Sequence, residues 1–106
     1  MNELPAGEPV LVVINIPPAL EEPLVDWLLE RESGVGFTSY AVHGHSAQHG
    51  HLSVAEQVRG RQRRLQFEVD LEVPQLAQFL AGLTGKFGGT DLRYRVSAVI
   101  TFAHLP

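Results

Sequence analysis

The sequence predicts an α+β fold in which a four-stranded antiparallel sheet carries two helices on one face, in the order β-α-β-β-α-β. Three observations carry that prediction. An apolar run at residues 10–16 and alternating runs at 65–71 and 92–102 have the patterns of strands, and two further segments repeat apolar residues at helical spacing. Those helical segments fall between strands, one in each half of the chain. With 106 residues, 44% of them hydrophobic, the chain supports one core and reads as a single domain over residues 1–106.

Each element follows from its residues. Val10-Leu-Val-Val-Ile-Asn-Ile16 is a continuous apolar run stopped by Pro17-Pro18, which suits a central strand buried on both faces. From Ala19 to Arg31, Leu20, Leu24, Trp27 and Leu28 recur at helical spacing while Glu21, Glu22, Asp26 and Glu30 point elsewhere. Pro18 and Pro23 fall early enough that their missing donors need not break the helix, and Gly34 suits its exit. Phe37 to Val42, rich in aromatic and β-branched residues, predicts the second strand. After a loop with a short helical turn at 54–58, Leu65, Phe67, Val69 and Leu71 alternate with Gln66, Glu68 and Asp70 as a half-buried third strand.

A second amphipathic helix starts near Pro74, carries Leu76, Phe79, Leu80, Leu83 and Phe87 on one side, and stops at Gly88-Gly89. Leu92, Tyr94, Val96, Ala98, Ile100 and Phe102 then alternate as one long last strand, with Arg93 and Arg95 on its opposite side. This order matches the split βαβ, or ferredoxin-like, arrangement, with the first and third strands in the middle. One sheet face is then left without a helix, and self-association is the expected way to cover it.

Composition narrows the function. No cysteine is present, which removes disulfides, thiolate catalysis and cysteine-ligated zinc and fits a cytoplasmic location. The run at 10–16 is too short to span a bilayer. A formal net charge of -4 argues against nucleic acid as a partner, although a local basic patch can still meet a small anion.

The specialised stretch is His43-Gly-His45-Ser-Ala-Gln-His49-Gly-His51, which holds four of the five histidines, followed by Arg59-Gly-Arg61-Gln-Arg63-Arg64. Imidazole nitrogen ligates zinc, copper, nickel and cobalt, so His43, His45, His49 and His51 offer four donors without thiolate help. His43 and His45 share a face if the second strand runs that far. The alternative is a set of solvated loop histidines. Arg59, Arg61, Arg63 and Arg64 either hold phosphate or carboxylate through forked hydrogen bonds, joined by Arg93 and Arg95, or form a solvated strand entrance with subunit ion pairs to Glu21, Glu22 or Glu30. Alternation puts Arg61 and Arg63 on one side and Arg64 on the other. Ser46, His49 and Asp70 are residue types of a hydrolase triad, but Ser46 has no nucleophile-elbow context, and a non-catalytic role is expected.

Together with the element order, Val42-His43-Gly44-His45, Val58-Arg59-Gly60-Arg61 and Thr84-Gly85-Lys86-Phe87-Gly88-Gly89 resemble the PII-like signalling proteins. Pro17-Pro18-Ala-Leu-Glu-Glu22, Val25-Asp-Trp-Leu-Leu-Glu30, Gly36-Phe-Thr-Ser39, Ala41-Val-His-Gly-His45 and Ala55-Glu-Gln-Val-Arg-Gly-Arg-Gln-Arg63 resemble, more closely, the bacterial family called domain of unknown function 3240. The PII resemblance implies a regulatory homotrimer with ligands in clefts between subunits, and a loop at 44–60 that contacts ligand or a protein partner. It also implies that the loop at 84–91 crosses the same cleft, making Lys86, Gly88 and Gly89 ligand-binding candidates beside Arg59, Arg61 and Arg63. Nucleotide-binding members carry Gly-Asp-Gly-Lys there. This chain has Gly88-Gly89-Thr90-Asp91 with Lys86 earlier, so ATP is not assigned. Resemblance to the second family implies a link with heavy-metal efflux, with any membrane contact made indirectly through an efflux partner.

Overall fold

The computed structural model describes residues 8–31, 36–46 and 61–106. Among them, β1 (Pro9–Ile16), α1 (Glu21–Arg31), β2 (Phe37–Gly44), β3 (Gln62–Glu72), α2 (Val73–Phe87) and β4 (Arg93–Ala98) follow the predicted β-α-β-β-α-β order. The strands form one sheet in the spatial order β2-β3-β1-β4, and every neighbouring pair is antiparallel. The first and third strands are central, as their apolar patterns require.

Val12, Ile14 and Ile16 of β1 and Phe67 and Val69 of β3 face Leu24, Trp27 and Leu28 of α1 and Phe79, Leu83 and Phe87 of α2 in one buried cluster. Both helices therefore cover the same sheet face. The Trp27 ring meets Phe79 and Phe87 edge-on, with centroids 5.2 and 6.0 Å away, the arrangement favoured by the positive ring edge against the negative ring face. Arg31 lies 4.0 Å over the same indole and closes its solvent side. The predicted burial of β1 on both faces is half met within the single chain: Leu11 and Val13 point to the uncovered face and are only partly buried.

Several boundaries shift for identifiable reasons. A 3-10 turn at Pro18–Leu20 precedes α1, closed by the Leu20 N–H donating to the Pro17 carbonyl at 3.0 Å. Both β2 and β3 reach further than their apolar patterns indicate, because His43 pairs with Arg63 and Gly44 with Gln62 in the ladder. At the head of α2, the Glu72 N–H donates to the Gln75 side chain at 2.8 Å, satisfying an amide that the helix leaves unpaired.

The largest departure is at β4. The alternating pattern predicts a strand to Phe102, but the strand ends at Ala98. Its partner β1 supplies Val10 opposite Ala98, and a last bond runs from the Val99 N–H to the Pro9 carbonyl at 3.1 Å. Pro9 has no N–H to extend the ladder. Beyond that point no described strand lies alongside, and residues 100–106 are exposed. The predicted helical turn at 54–58 lies outside the described residues.

Candidate functional site

Among the described residues no helix covers the other face of the sheet, and this uncovered face carries the polar chemistry. Period-2 alternation combined with the register places Tyr40 and Val42 of β2, Arg64, Gln66, Glu68 and Asp70 of β3, Leu11, Val13 and Asn15 of β1, and Arg93 and Arg95 of β4 on it. One row across the sheet reads Tyr40, Gln66, Asn15, Arg93, and the next reads Thr38, Glu68, Val13, Arg95. Arg93 and Arg95 thus lie on the β4 side and Glu68 and Asp70 on the β3 side, with the apolar Leu11 and Val13 between them and Arg64 of β3 at one end.

Arg64 organises one end of this face. Its side chain is 1% exposed. The guanidinium is held from several directions: Nε donates to the Asn15 side-chain oxygen, Nη1 to Asp91 Oδ2 at 2.9 Å, and Nη2 to the main-chain oxygens of Asn15 at 3.1 Å and Asp91 at 2.8 Å. A buried guanidinium is tolerated when its donors are satisfied and a countercharge is present, and both conditions hold here. From Arg64 a chain of hydrogen bonds crosses the sheet. Asn15 donates to Gln66 Oε1 at 3.0 Å, Gln66 donates to the Tyr40 hydroxyl at 3.0 Å, and that hydroxyl donates to Glu68 Oε2 at 2.9 Å. Next along β3, burial, with a smaller push from the charge of Glu68, raises the Asp70 carboxyl above its ordinary range.

A concavity of about 310 Å³ opens beside Arg64, lined by Asn15, Gly44, Gln66, Arg93 and Arg95 among others. Arg64 forms its floor with its donors already committed. Arg93 and Arg95 are exposed at its rim, and Arg93 reaches Asp91 Oδ1 at 3.5 Å. Exposed guanidinium groups of this kind are able to hold a small carboxylate or phosphate through forked hydrogen bonds.

The candidates singled out in the sequence fall in different places. His43 lies in β2, exposed, opposite Arg63 and on the sheet side that carries the helices, and His45 follows one residue past the strand. Arg61 is the residue before β3. His49, His51 and Arg59 lie outside the described residues. Among the described residues, no three His, Asp or Glu side chains come together as a metal site would need. Lys86 sits in a separate cleft between the helices, with Glu22, Asp26 and Glu30. Gly88 and Gly89 build the turn between α2 and β4. A Cβ on Gly88 would meet the Thr84 carbonyl oxygen at 2.9 Å, and Gly89 adopts φ +84°, so both positions have backbone reasons for glycine. Of the triad types, Asp70 lies on the uncovered face, Ser46 follows β2, and His49 is outside the described residues.

Sequence reasoning missed the roles of Asn15, Gln66 and Asp91. Asn15 did carry a signal, as the one polar residue in an otherwise apolar strand, where burial demands a partner. Asp91, in an exposed turn, carried none.

A family model described as a protein of unknown function (DUF3240) matches residues 6–106. Among solved structures, the chain is similar to a DUF3240 family protein from Shewanella baltica OS155, at 21% identity and a TM-score of 0.76, covering 94% of this chain and 99% of that one. It is also similar to the Bacillus subtilis GlnK–ATP complex, at 19% identity and a TM-score of 0.65, covering 91% of this chain and 85% of that one. A third similar structure is CPII from Thiomonas intermedia K12, described as a nitrogen regulatory PII-like protein bound to ADP, AMP and bicarbonate. There the identity is 15%, the TM-score 0.65 and the coverage 92% and 97%. Comparison with the curated proteins finds no match.

Proposed function

The chain belongs to the DUF3240 family and has a PII-like fold, and from this we propose that it is a non-catalytic regulatory protein, a cytoplasmic homotrimer that senses a small anionic metabolite in the pocket beneath Arg93 and Arg95. The observation that carries this reading is the convergence of Arg64, Arg93 and Arg95 on one concavity of the uncovered sheet face, in a chain whose net charge is -4. A local basic site on an acidic protein concentrates small anions without attracting nucleic acid. The ligands named with the two PII-type structures, ATP for GlnK and ADP, AMP and bicarbonate for CPII, are anions, which supports the same ligand class here. Phosphate and carboxylate both suit forked guanidinium donors. Gly44, the last residue of β2, lines this pocket, and the 44–60 loop expected from the PII resemblance to meet a protein partner starts there, which supports a link between ligand and partner. A ligand shifts such a loop only to the extent that it binds one loop state more tightly.

Calorimetric titration with inorganic phosphate, bicarbonate, dicarboxylates and adenine nucleotides tests this reading, with the Arg93→Ala/Arg95→Ala double variant as control. Saturable binding weakened at least about tenfold in the variant, and weakened by salt, is the expected result. Equal affinity in the variant would remove the pocket from consideration.

A second reading has its own support. His43 and His45 are both exposed at the exit of β2, two residues apart, and the sequence offers His49 and His51 as two further imidazole donors suited to zinc, copper, nickel or cobalt. This reading makes the protein a sensor or buffer acting beside a heavy-metal efflux system. Titration with each metal, repeated on the quadruple His→Ala variant at these positions, separates it from the anion reading.

A further inference from the structure

Among the described residues the last apolar alternation of the sequence has no partner. Tyr94, Val96 and Ala98 point toward the helices from β4, and Ile100 and Phe102 continue the same parity, yet the strand stops at Ala98. Ile100 is 98% exposed and Leu105 90% exposed, with Phe102 about half exposed. Several large apolar side chains held in water on one short segment are costly and mark a contact surface.

The same molecule offers a receptor for it. The outer edge of β4 is unpaired among the described residues, since β4 ends the sheet order, and an edge strand presents a row of free N–H and C=O groups to any extended segment. Beside that edge, Leu83, Phe87, Leu92 and Tyr94, with Gly88 and Gly89, line an apolar groove of about 160 Å³. The glycines keep it open, because neither brings a side chain. The groove lies at the Arg93 end of β4, whereas the chain leaves from the Ala98 end and residues 100–106 stay exposed, so the segment does not fill the groove of its own copy.

We infer that residues 99–106 of one copy dock along the β4 edge of a second copy of this chain, with Ile100 and Phe102 entering the groove beside Tyr94. The pairing completes the strand that the sequence pattern encodes and that β1, beginning at Pro9, is too short to template. Because segment and groove are different surfaces of one chain, each copy gives a segment and receives one, reciprocally in a two-fold pair or head to tail around a closed ring such as the proposed trimer. This inference rests on the homo-oligomeric part of the proposed function and names the contact that builds it.

The chain has no cysteine, so single-cysteine variants test the contact directly. Co-expressed Tyr94→Cys and Ile100→Cys chains, and Tyr94→Cys with Phe102→Cys, should form a disulfide between unlike copies, with neither variant cross-linking when expressed alone. The Ile100→Asp/Phe102→Asp variant should fall to the mass of a single chain in light scattering while keeping its circular dichroism. A cross-link formed by Ile100→Cys alone would show segment against segment and overturn the inference. So would an assembly that keeps its mass in the double aspartate variant with no cross-link in either mixture; that result leaves the oligomer itself intact. A monomeric wild-type protein would overturn both this contact and the proposed trimer, and the anion titration would then stand or fall separately.

Discussion

Arg64 grips Asp91 at two points, donating from Nη1 to the carboxylate at 2.9 Å and from Nη2 to the main-chain oxygen at 2.8 Å. That double hold explains why Asp91 can sit at φ 65°, in the left-handed region that side chains other than Asn, Asp and Gly rarely occupy. The turn from α2 into β4 is fixed to the centre of the sheet by one buried cation, and Arg93 is launched from that turn. Replacing Asp91 by Ala leaves the guanidinium of Arg64 buried without its countercharge and puts a Cβ without a local acceptor at positive φ. Breaking buried pairs costs about 3–5 kcal/mol, and with Asp91 45% exposed the expected loss is nearer about 2–3 kcal/mol. Asp91→Asn keeps a hydrogen-bond acceptor and tolerates the backbone, so it should lose less than half as much. Urea unfolding of both variants checks the order, and an Ala variant as stable as the Asn variant would mean the charge is immaterial.

Two glycines of α2 should respond to alanine in opposite directions. At Gly85 a Cβ would meet nothing within 4 Å, so Gly85→Ala gains helix propensity, about 0.8–1 kcal/mol, at no packing cost. At Gly82 it would stand 3.0 Å from Cζ2 of Trp27. That indole is wedged between Phe79 and Phe87 and capped by Arg31, so it has little room to retreat. Overpacking of this kind costs about 1–3 kcal/mol and should outweigh the propensity gain. Thermal melts should show Gly85→Ala above wild type and Gly82→Ala below it. Trp27, the only tryptophan, reports the second change through an altered emission spectrum.

The fold was legible because its signals are local. Alternation in 65–71 and helical spacing at Phe79, Leu83 and Phe87 each name an element and its buried side without reference to distant residues. What cluster of charge to trust was harder. The Arg59–Arg64 run and the histidines stand out by density, but density does not say which arginine is buried. Arg64 differs from Arg63 only in parity, and parity acquires meaning when Asn15 is known to lie diagonally across on β1 and Asp91 to fold over from a turn. Those are contacts between residues 27 and 49 positions apart, and no periodicity in a single sequence encodes them. The over-long final strand has the same root. Its pattern was real, but a strand needs a neighbour, and the neighbour's length is set elsewhere in the chain.

Asp70 makes stability depend on pH in the direction opposite to the usual carboxylate. It lies across from Leu11 on the uncovered face, where partial burial and, to a smaller degree, the charge of Glu68 raise its pKa above the unfolded value of 3.8. Between that value and its raised native value the folded state binds more protons than the unfolded state. Stability therefore falls as pH rises through the window, and the penalty for ionised Asp70 persists in full above it. Asp70→Asn removes the charge while keeping the shape. The variant should melt above wild type at pH 7, and the difference should shrink to nothing near pH 3, where Asp70 is protonated in both states. Melting curves at these two pH values, with an NMR titration of the Asp70 carboxyl, give the answer. A variant no more stable than wild type at pH 7 would mean that ionised Asp70 is stabilised by a partner on this face, and the face would then have to be read as complementary to its carboxylates rather than merely uncovered.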